Sequence, residues 1–595
     1  MIQTACPLDC FDACSVVCDL EYPKKLVGGV AAPSTNGVLC AHLYKHIHEA
    51  KRIENATIDG KEVTLEEALD AVAVAIKETP WLLWRGSGNL GVLQKVTNLL
   101  VQNTHGVLTH GTLCDGAGDA GIVEGRGVNR LLPLEQIKKS EVVVIWGRNV
   151  TVTNSHIMPY IEGKEIVVID PRETAIAKKA KLHLAIRPRG DFYLAIILSR
   201  FLMMEDAHNK KWLKKYAGEY EEFYDFTRTF RIKAILEHIE LSLNDIGDLL
   251  LLLENKRVVF LVGAGAQRHE IGDATLRAID AVAALLGLFG KEGCGVSYLS
   301  NSQLNLNNPF DIKAKSEPMA TTPFSKYKSV LVQGGNPAES MPCSQRVQHE
   351  LKGVENLIYF GLYENETSKL AKIVIPAKNF LEKDDIRLSY GHQYMQRMNK
   401  VYESSIGISE YDFTQEILKR LKKAPIQELN YYIEFVLSQA KREEDKLIAP
   451  SFKELPYSDG FGINGDEEFE FIDDFYDDFE NIKALRSFRR KVKKDIREYW
   501  LLTPKTNKTL NTQFARPSEA VYVPEGIGLG DAEEILVKSI WGELKLEARV
   551  DKSLREDCIV IYTGTKGVNN LTPPITSSEG DMACYGDVKV ELLKI

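Results

Sequence analysis

The strongest constraint in this chain lies in its first forty residues. CPLDCFDAC places Cys6, Cys10 and Cys14 at four-residue intervals, and Cys40 follows after 25 intervening residues. Four sulfurs spaced this way can meet at one metal centre, and the chain around them must then fold so that they do. A triplet that wraps one corner and a distant fourth residue that closes it is how iron–sulfur cubanes are usually held. Structural zinc prefers two separated hooks of the Cys-x2-Cys kind, and inert buried cysteines are the third alternative. Cys18 continues the spacing but lies inside SVVCDL, which reads as a strand, and is assigned to packing.

The stretch CPLDCFDACSVVCDLE, a glycine-rich turn and then TNGVLC resembles the amino-terminal cluster domain of the molybdopterin oxidoreductases that carry two pterin guanine dinucleotides, the dimethyl sulfoxide reductase and formate dehydrogenase superfamily. The resemblance implies a 4Fe-4S cluster on Cys6, Cys10, Cys14 and Cys40, two molybdopterin guanine dinucleotides, and molybdenum or tungsten. It also implies a lysine or arginine two residues past the fourth cysteine, between cluster and pterin. That position holds His42, and Lys45 is the nearest lysine.

At 595 residues the chain exceeds what one hydrophobic core supports, so several domains are expected. A net charge of −9 argues against a nucleic-acid or anionic-membrane surface. Ten cysteines are too sparse for a disulfide scaffold, and a cluster set implies thiols kept reduced. No apolar run reaches membrane-spanning length, and the cluster motif begins too early to leave room for a signal peptide. The expected location is the cytoplasm.

Further along, WLLW runs into RGSGNLG, where Gly86, Gly88 and Gly91 suit a turn that lets backbone approach a ligand. HGTLCDGAGDAG then puts Cys114 in an open glycine loop, the setting of a metal-ligating thiol more than of a packed one. The resemblance makes Cys114 the molybdenum or tungsten ligand. Asp115 and His156 are the accompanying catalytic candidates, with His105 and His110 also near in sequence. Formate dehydrogenases carry a histidine after the ligand, and Asp115 at that position disfavours formate.

EVVVIW, EIVVI and VVFLV read as buried parallel strands of a doubly wound sheet, whose ligands bind at the carboxyl ends. Those ends carry Gly147 and Asn149, then Asp170 and Arg172, then Gly263, Gly265 and Arg268. An aspartate there can accept paired hydrogen bonds from guanine, and glycines admit pyrophosphate to backbone amides. Gly190 and Asp191 match the family's segment before a helix. A second unit, SVLVQGGNPAESMP, NLIYFGLYENET and KIVIPAKNFLEKDD, resembles the second dinucleotide half and offers Gly334, Asn336, Pro337, Glu382 and Asp384. In the strand-rich last hundred residues, LLTPKTNKTLNTQF and KGVNNLT resemble the family's terminal barrel and offer Asn511, Gln513, Asn569 and Asn570.

The expected architecture is therefore α/β and multi-domain: a small amino-terminal iron–sulfur domain, two doubly wound α/β cofactor-binding domains and a carboxyl-terminal β-barrel. Residues 1–52 form the cluster domain, 53–140 with 315–425 the first α/β domain, and 141–314 the second. Residues 426–495, acidic with interposed phenylalanines and then basic, read as a charged insertion or linker, and 496–595 as the barrel. The expected function is two-electron reduction of a small oxygen- or sulfur-containing substrate. Formate oxidation, a non-catalytic iron–sulfur subunit and a hydratase are the alternatives. No second cysteine cluster, haem motif or flavin fingerprint is present, so a separate electron-transfer subunit or carrier is implied.

Overall fold

The computed structural model describes residues 1–595 except 23–24, 49–50, 78–79, 219, 300–303, 473–497 and 514–518. The first cysteine triplet lies in a hairpin loop. Strands Ile2–Ala5 and Ser15–Cys18 pair antiparallel, Ala5 opposite Ser15, and Leu26–Gly28 adds a third strand.

Two larger sheets follow from the branched-aliphatic runs. Leu182–Leu184, Glu165–Ile169, Val142–Trp146, Val258–Val262 and Gly295–Ser297 form a five-stranded, wholly parallel sheet in that spatial order. The sheet is covered on both faces, so Val142–Trp146 and Val258–Val262 are buried along their whole length. Helices Asp191–Met204 and Gly272–Leu285 pack against each other there, and nearly every residue of the second is buried. Each fully buried side chain of the size of Phe192 or Phe260 contributes about 2 kcal/mol by transfer from water.

An eight-stranded sheet joins distant parts of the chain. Its order is Ser316–Pro318, Gly106–His110, Trp81–Arg85, Ser329–Gln333, Asn356–Gly361, Ile373–Pro376, Ala56–Ile58, Lys61–Val63. The first six run parallel and the last two antiparallel. Residues 498–594 supply a closed six-stranded barrel, Glu498–Leu502, Cys558–Val560, Ala520–Val523, Glu543–Val550, Glu534–Lys538 and Lys589–Lys594. The α/β multi-domain class with a terminal barrel is thus the observed fold.

The expectation of a charged insertion or linker over 426–495 does not hold for its described part. Helix Leu429–Leu437 buries Ile433 and Val436 against Phe310 and Ile386. Phe461, Phe469 and Phe471 are buried in the core of the five-stranded unit, where Phe469 stacks on Phe289 at 5.8 Å and Phe471 on Phe223 at 5.0 Å. Arg130 binds the backbone carbonyls of Ser451 at 3.3 Å and Ile463 at 2.6 Å, which fastens this segment down. The alternating acids face outward while the phenylalanines fill the core. The basic run after it lies outside the described residues.

Candidate functional site

The cluster loop is shaped by side chains that arrive from residues 387–396. Fully buried Arg387 donates to the carbonyls of Cys6 at 3.2 Å, Leu8 at 3.0 Å and Cys10 at 3.5 Å. Ser389 Oγ donates to Phe11 O at 3.3 Å, His392 Nε2 to Asp12 O at 3.0 Å, and Gln396 Nε2 to Ala13 O at 2.6 Å. With its carbonyls turned outward, the loop turns amides toward sulfur: Asp12 N–H lies 3.5 Å from Cys10 Sγ. Such hydrogen bonds stabilise reduced, negatively charged sulfur at a metal cluster.

Burial pushes the Cys6 thiol up to about 12, and the neighbouring Cys40 adds to it. Cys10 and Cys14 are raised too, first by burial and then by charge on Asp12 and the other cysteines. Thiols so placed ionise together only around a positive centre, which an iron–sulfur cluster provides. Among the described residues no three His, Cys, Asp or Glu side chains stand close enough to hold a single ion. Cys18 is fully buried in its strand and packs.

Cys114 belongs to a second loop. Thr112 Oγ1 accepts the backbone N–H groups of Cys114, Asp115 and Gly116, each at 3.0 Å. Gln267 clasps the loop from the other side, donating to Cys114 O at 2.7 Å and accepting Gly118 N–H at 2.9 Å. Burial and Asp115 raise the Cys114 thiol to about 11, opposed by Lys505 and Arg268. Burial and Asp119 raise Asp115 to about 6.

A cavity of about 760 Å³ joins the two loops, lined by Asp9 of the cluster loop and by Cys114. Gly86, Gly88, Gly334 and Asn336 at the carboxyl ends of the eight-stranded sheet line it, with Arg268 and the barrel-side Lys505, Asn511, Gln513, Thr565 and Asn569. A Cβ on Gly86 would stand 2.6 Å from Gly334 O, and one on Gly335 would enter the Trp84 ring, so these glycines let the strand ends close up. Among the described residues, four buried polar atoms of the lining have no protein partner: Trp84 Nε1, Arg268 Nε, Gln513 Oε1 and Thr565 Oγ1. Buried polar atoms are nearly always satisfied, so they mark where a heteroatom-rich ligand fits. Lys369, Lys378 and Lys505 in the same wall suit an anionic one.

The remaining predicted residues lie elsewhere. His156 is not at Cys114: it hydrogen-bonds Asp12 at 2.9 Å and Val38 O at 3.0 Å, with Cys14 Sγ at 4.0 Å, on the far side of the cluster loop. Asp12, chiefly by hydrogen bonding, raises its pKa. His110 pairs with Asp581 at 3.2 Å. Glu382 is consumed by a two-point ion pair with Arg52, at 2.6 and 2.7 Å, and Asp384 accepts Lys400 N–H at 3.1 Å. Neither lines the cavity. Pro337 starts helix Pro337–Ser340 and is buried. Asn570 accepts Ser344 Oγ at 2.6 Å, a tie between barrel and sheet.

At the five-stranded sheet Arg268 alone of the predicted residues lines the cavity, and the others find partners within the protein. Gly147 accepts Gly265 N–H at 3.0 Å, and a Cβ on Gly263 would meet Gly147 O at 2.5 Å. Asn149 accepts Thr151 Oγ1 at 2.7 Å. Asp170 receives Arg172 N–H at 2.9 Å, and burial lifts it to about 6. Arg172 reaches Asp551 at 2.8 Å, Tyr562 at 2.9 Å and Ser553 at 3.2 Å. Gly190 precedes helix Asp191–Met204, and Asp191 accepts Trp146 Nε1 at 2.6 Å. The sequence reading missed Arg387, Gln267, Trp84, Thr565 and Lys505. Lys505 and Trp84 carried a signal, the first inside the LLTPKTNKTL phrase and the second inside WLLW.

A glycine-lined cavity at parallel strand ends, walled by a barrel and joining a cysteine hairpin to a second cysteine loop, defines a protein that binds a large anionic cofactor. A family model for molybdopterin oxidoreductase matches residues 60–420, and the chain belongs to that family. It is an enzyme, a molybdopterin-dependent oxidoreductase. It is 24% identical over 669 positions to the probable oxidoreductase YyaE of Bacillus subtilis (strain 168), covering 100% of this chain and 99% of that one. To the assimilatory nitrate reductase catalytic subunit of the same organism it is 24% identical over 449 positions, covering 64% of this chain and 62% of the relative. Its fold matches acetylene hydratase from Pelobacter acetylenicus with a TM-score of 0.76 at 13% identity, each chain fully covered.

Proposed function

We propose that the enzyme carries out two-electron reduction of a small oxygen- or sulfur-containing substrate of the sulfur oxyanion, polysulfide or nitrate type. One 4Fe-4S cluster on Cys6, Cys10, Cys14 and Cys40 would feed a molybdenum or tungsten held by Cys114 and two molybdopterin guanine dinucleotides. The observation that carries this is the shared cavity: Asp9 of the cluster loop and Cys114 line one space whose other lining residues include four with unpartnered buried polar atoms among the described residues. The nitrate reductase relative supports the nitrate end of the range. Asp115, in place of the histidine that formate dehydrogenases carry, turns the reading away from formate.

The cofactor, when bound, supplies a centre that cycles by two electrons. The chain's own residues do the rest. Trp84 Nε1 and Arg268 Nε are unpartnered donors, and Gln513 Oε1 and Thr565 Oγ1 unpartnered acceptors, on residues of the cavity wall. Thr112 and Gln267 hold the Cys114 loop, while Lys505 and Arg268 favour its thiolate. Asp115, buried and with its pKa at about 6, can hold a proton just behind that sulfur. Electrons would come from a separate electron-transfer subunit or carrier.

Metal analysis of anaerobically purified protein, with pterin quantified in the same sample, tests the reading. About four irons with one molybdenum or tungsten and two pterins are expected. Zinc alone, or iron without pterin after expression in a host that makes the cofactor, would sink it.

A further inference from the structure

The loop that carries Cys6, Cys10 and Cys14 is gripped by a buried charge with no partner of opposite sign. Arg387 is 1% exposed, and its guanidinium donates to four carbonyl oxygens, Leu8 at 3.0 Å, Cys6 at 3.2 Å, Leu90 at 3.4 Å and Cys10 at 3.5 Å. Among the described residues no carboxylate pairs with it, whereas Arg126, buried to the same degree, donates to Asp280 at 2.6 Å. Both acids of the loop are engaged elsewhere. Asp9 accepts from Tyr390 at 3.0 Å, Asn511 at 3.2 Å and Ser87 at 3.3 Å, and Asp12 meets Asn154 and, at 2.9 Å, His156. A second guanidinium flanks the loop at Phe11. Arg148 is 6% exposed, stands 4.2 Å over the Phe11 ring and donates to Asn154 at 2.9 Å, and its Nη1 is buried with no partner among the described residues.

From this geometry we propose that Arg387, with Arg148 as the lesser second, is the buried counter-charge of the iron–sulfur cluster. The inference rests on the cluster reading of Cys6, Cys10, Cys14 and Cys40. A full charge taken out of water is costly unless an opposite charge lies near it, and carbonyl dipoles offset only part of that cost. Four thiolates outweigh the positive charge of an iron–sulfur core, so the assembled cluster is a net anion, and it gains one further negative charge when it accepts an electron from its carrier. A cation fixed beside it in a water-free site stabilises the more negative state. Arg387 therefore raises the potential of the cluster, and bulk salt screens this effect little. It is a positioning residue: the same guanidinium turns the loop carbonyls outward, and no bond is made or broken at it.

The test is a potentiometric titration of the cluster, followed by electron paramagnetic resonance, in full-length protein of measured iron content at low and at high salt. R387Q, which removes the charge, is expected to shift the midpoint potential downward at both salt concentrations, R148Q to shift it downward by less, and R387K to stay near native. Q396L removes a neutral donor to the same loop and so separates charge from shape; its shift should be smaller than that of R387Q. An iron-replete R387Q with the native potential overturns the inference, as does a Q396L that shifts as far as R387Q or an R387K that falls with it. Should R387Q fail to hold iron, R387K decides: iron at the native potential supports the counter-charge, and an iron-free R387K overturns it in favour of the shape of the guanidinium alone. An unshifted R148Q overturns the part given to Arg148. Native protein without iron overturns the cluster reading itself, which separates the two failures.

Discussion

The two parallel sheets end in the same kind of sequence and meet opposite fates. SVLVQGGN and EVVVIWGRN both run from branched aliphatics into glycine and asparagine, yet the first opens on a cavity and the second packs on itself. At the open end Gly334 and Asn336 face a space with unpartnered polar atoms around it. At the other end Gly147, Gly263 and Gly265 close on each other, Arg172 and Asp191 find partners within the protein, and only Arg268 of the predicted residues reaches the cavity. The lesson is that a strand-end motif marks where a ligand could bind, while the neighbouring domain decides how much of that end stays open.

The comparison can be broken most forcefully at Arg172. R172M removes three contacts to the barrel, including a charged pair with Asp551, and should cost about 2 kcal/mol. Urea unfolding reads this directly, and a loss near zero would mean the closed end is not held by those contacts.

A pH effect of intermediate size should come from Asp191. Burial pushes its pKa up from 3.8 to about 7, so the folded state keeps a proton that the unfolded chain releases. The stability this contributes is full below about pH 4 and is lost as pH rises toward 7. In D191N that decline should be absent, and parallel pH profiles for native and variant protein would contradict the assignment.

The smallest effect on stability belongs to the open end. T565V swaps an unpartnered hydroxyl for a methyl group of similar shape and should leave cofactor-free protein within about 0.5 kcal/mol of native stability. Pterin content after purification should nevertheless fall. A destabilised variant with full pterin would reverse the contrast between the two ends.

Legibility followed the range of the interactions. The parallel strands were readable because burial on both faces demands unbroken runs such as VVVIW and VVFLV. The phenylalanines at 461–471 were misread because acids interrupt them, and only packing against Phe223 and Phe289 shows them as core. Glu382 read as a cofactor contact because its partner, Arg52, lies 330 residues away. His156 was near Cys114 in sequence but faces Asp12 in space.

The sequence by itself determined the cysteine spacing, the α/β class and the family resemblance, because local pattern and composition encode them. Tertiary structure alone decided which strand end stays open, which loop Arg387 shapes, and that Lys505 reaches the cavity beside Asp9 and Cys114. Those outcomes depend on contacts between side chains hundreds of residues apart, where hydrogen-bond satisfaction and burial operate on the folded neighbourhood and leave no periodicity in the chain.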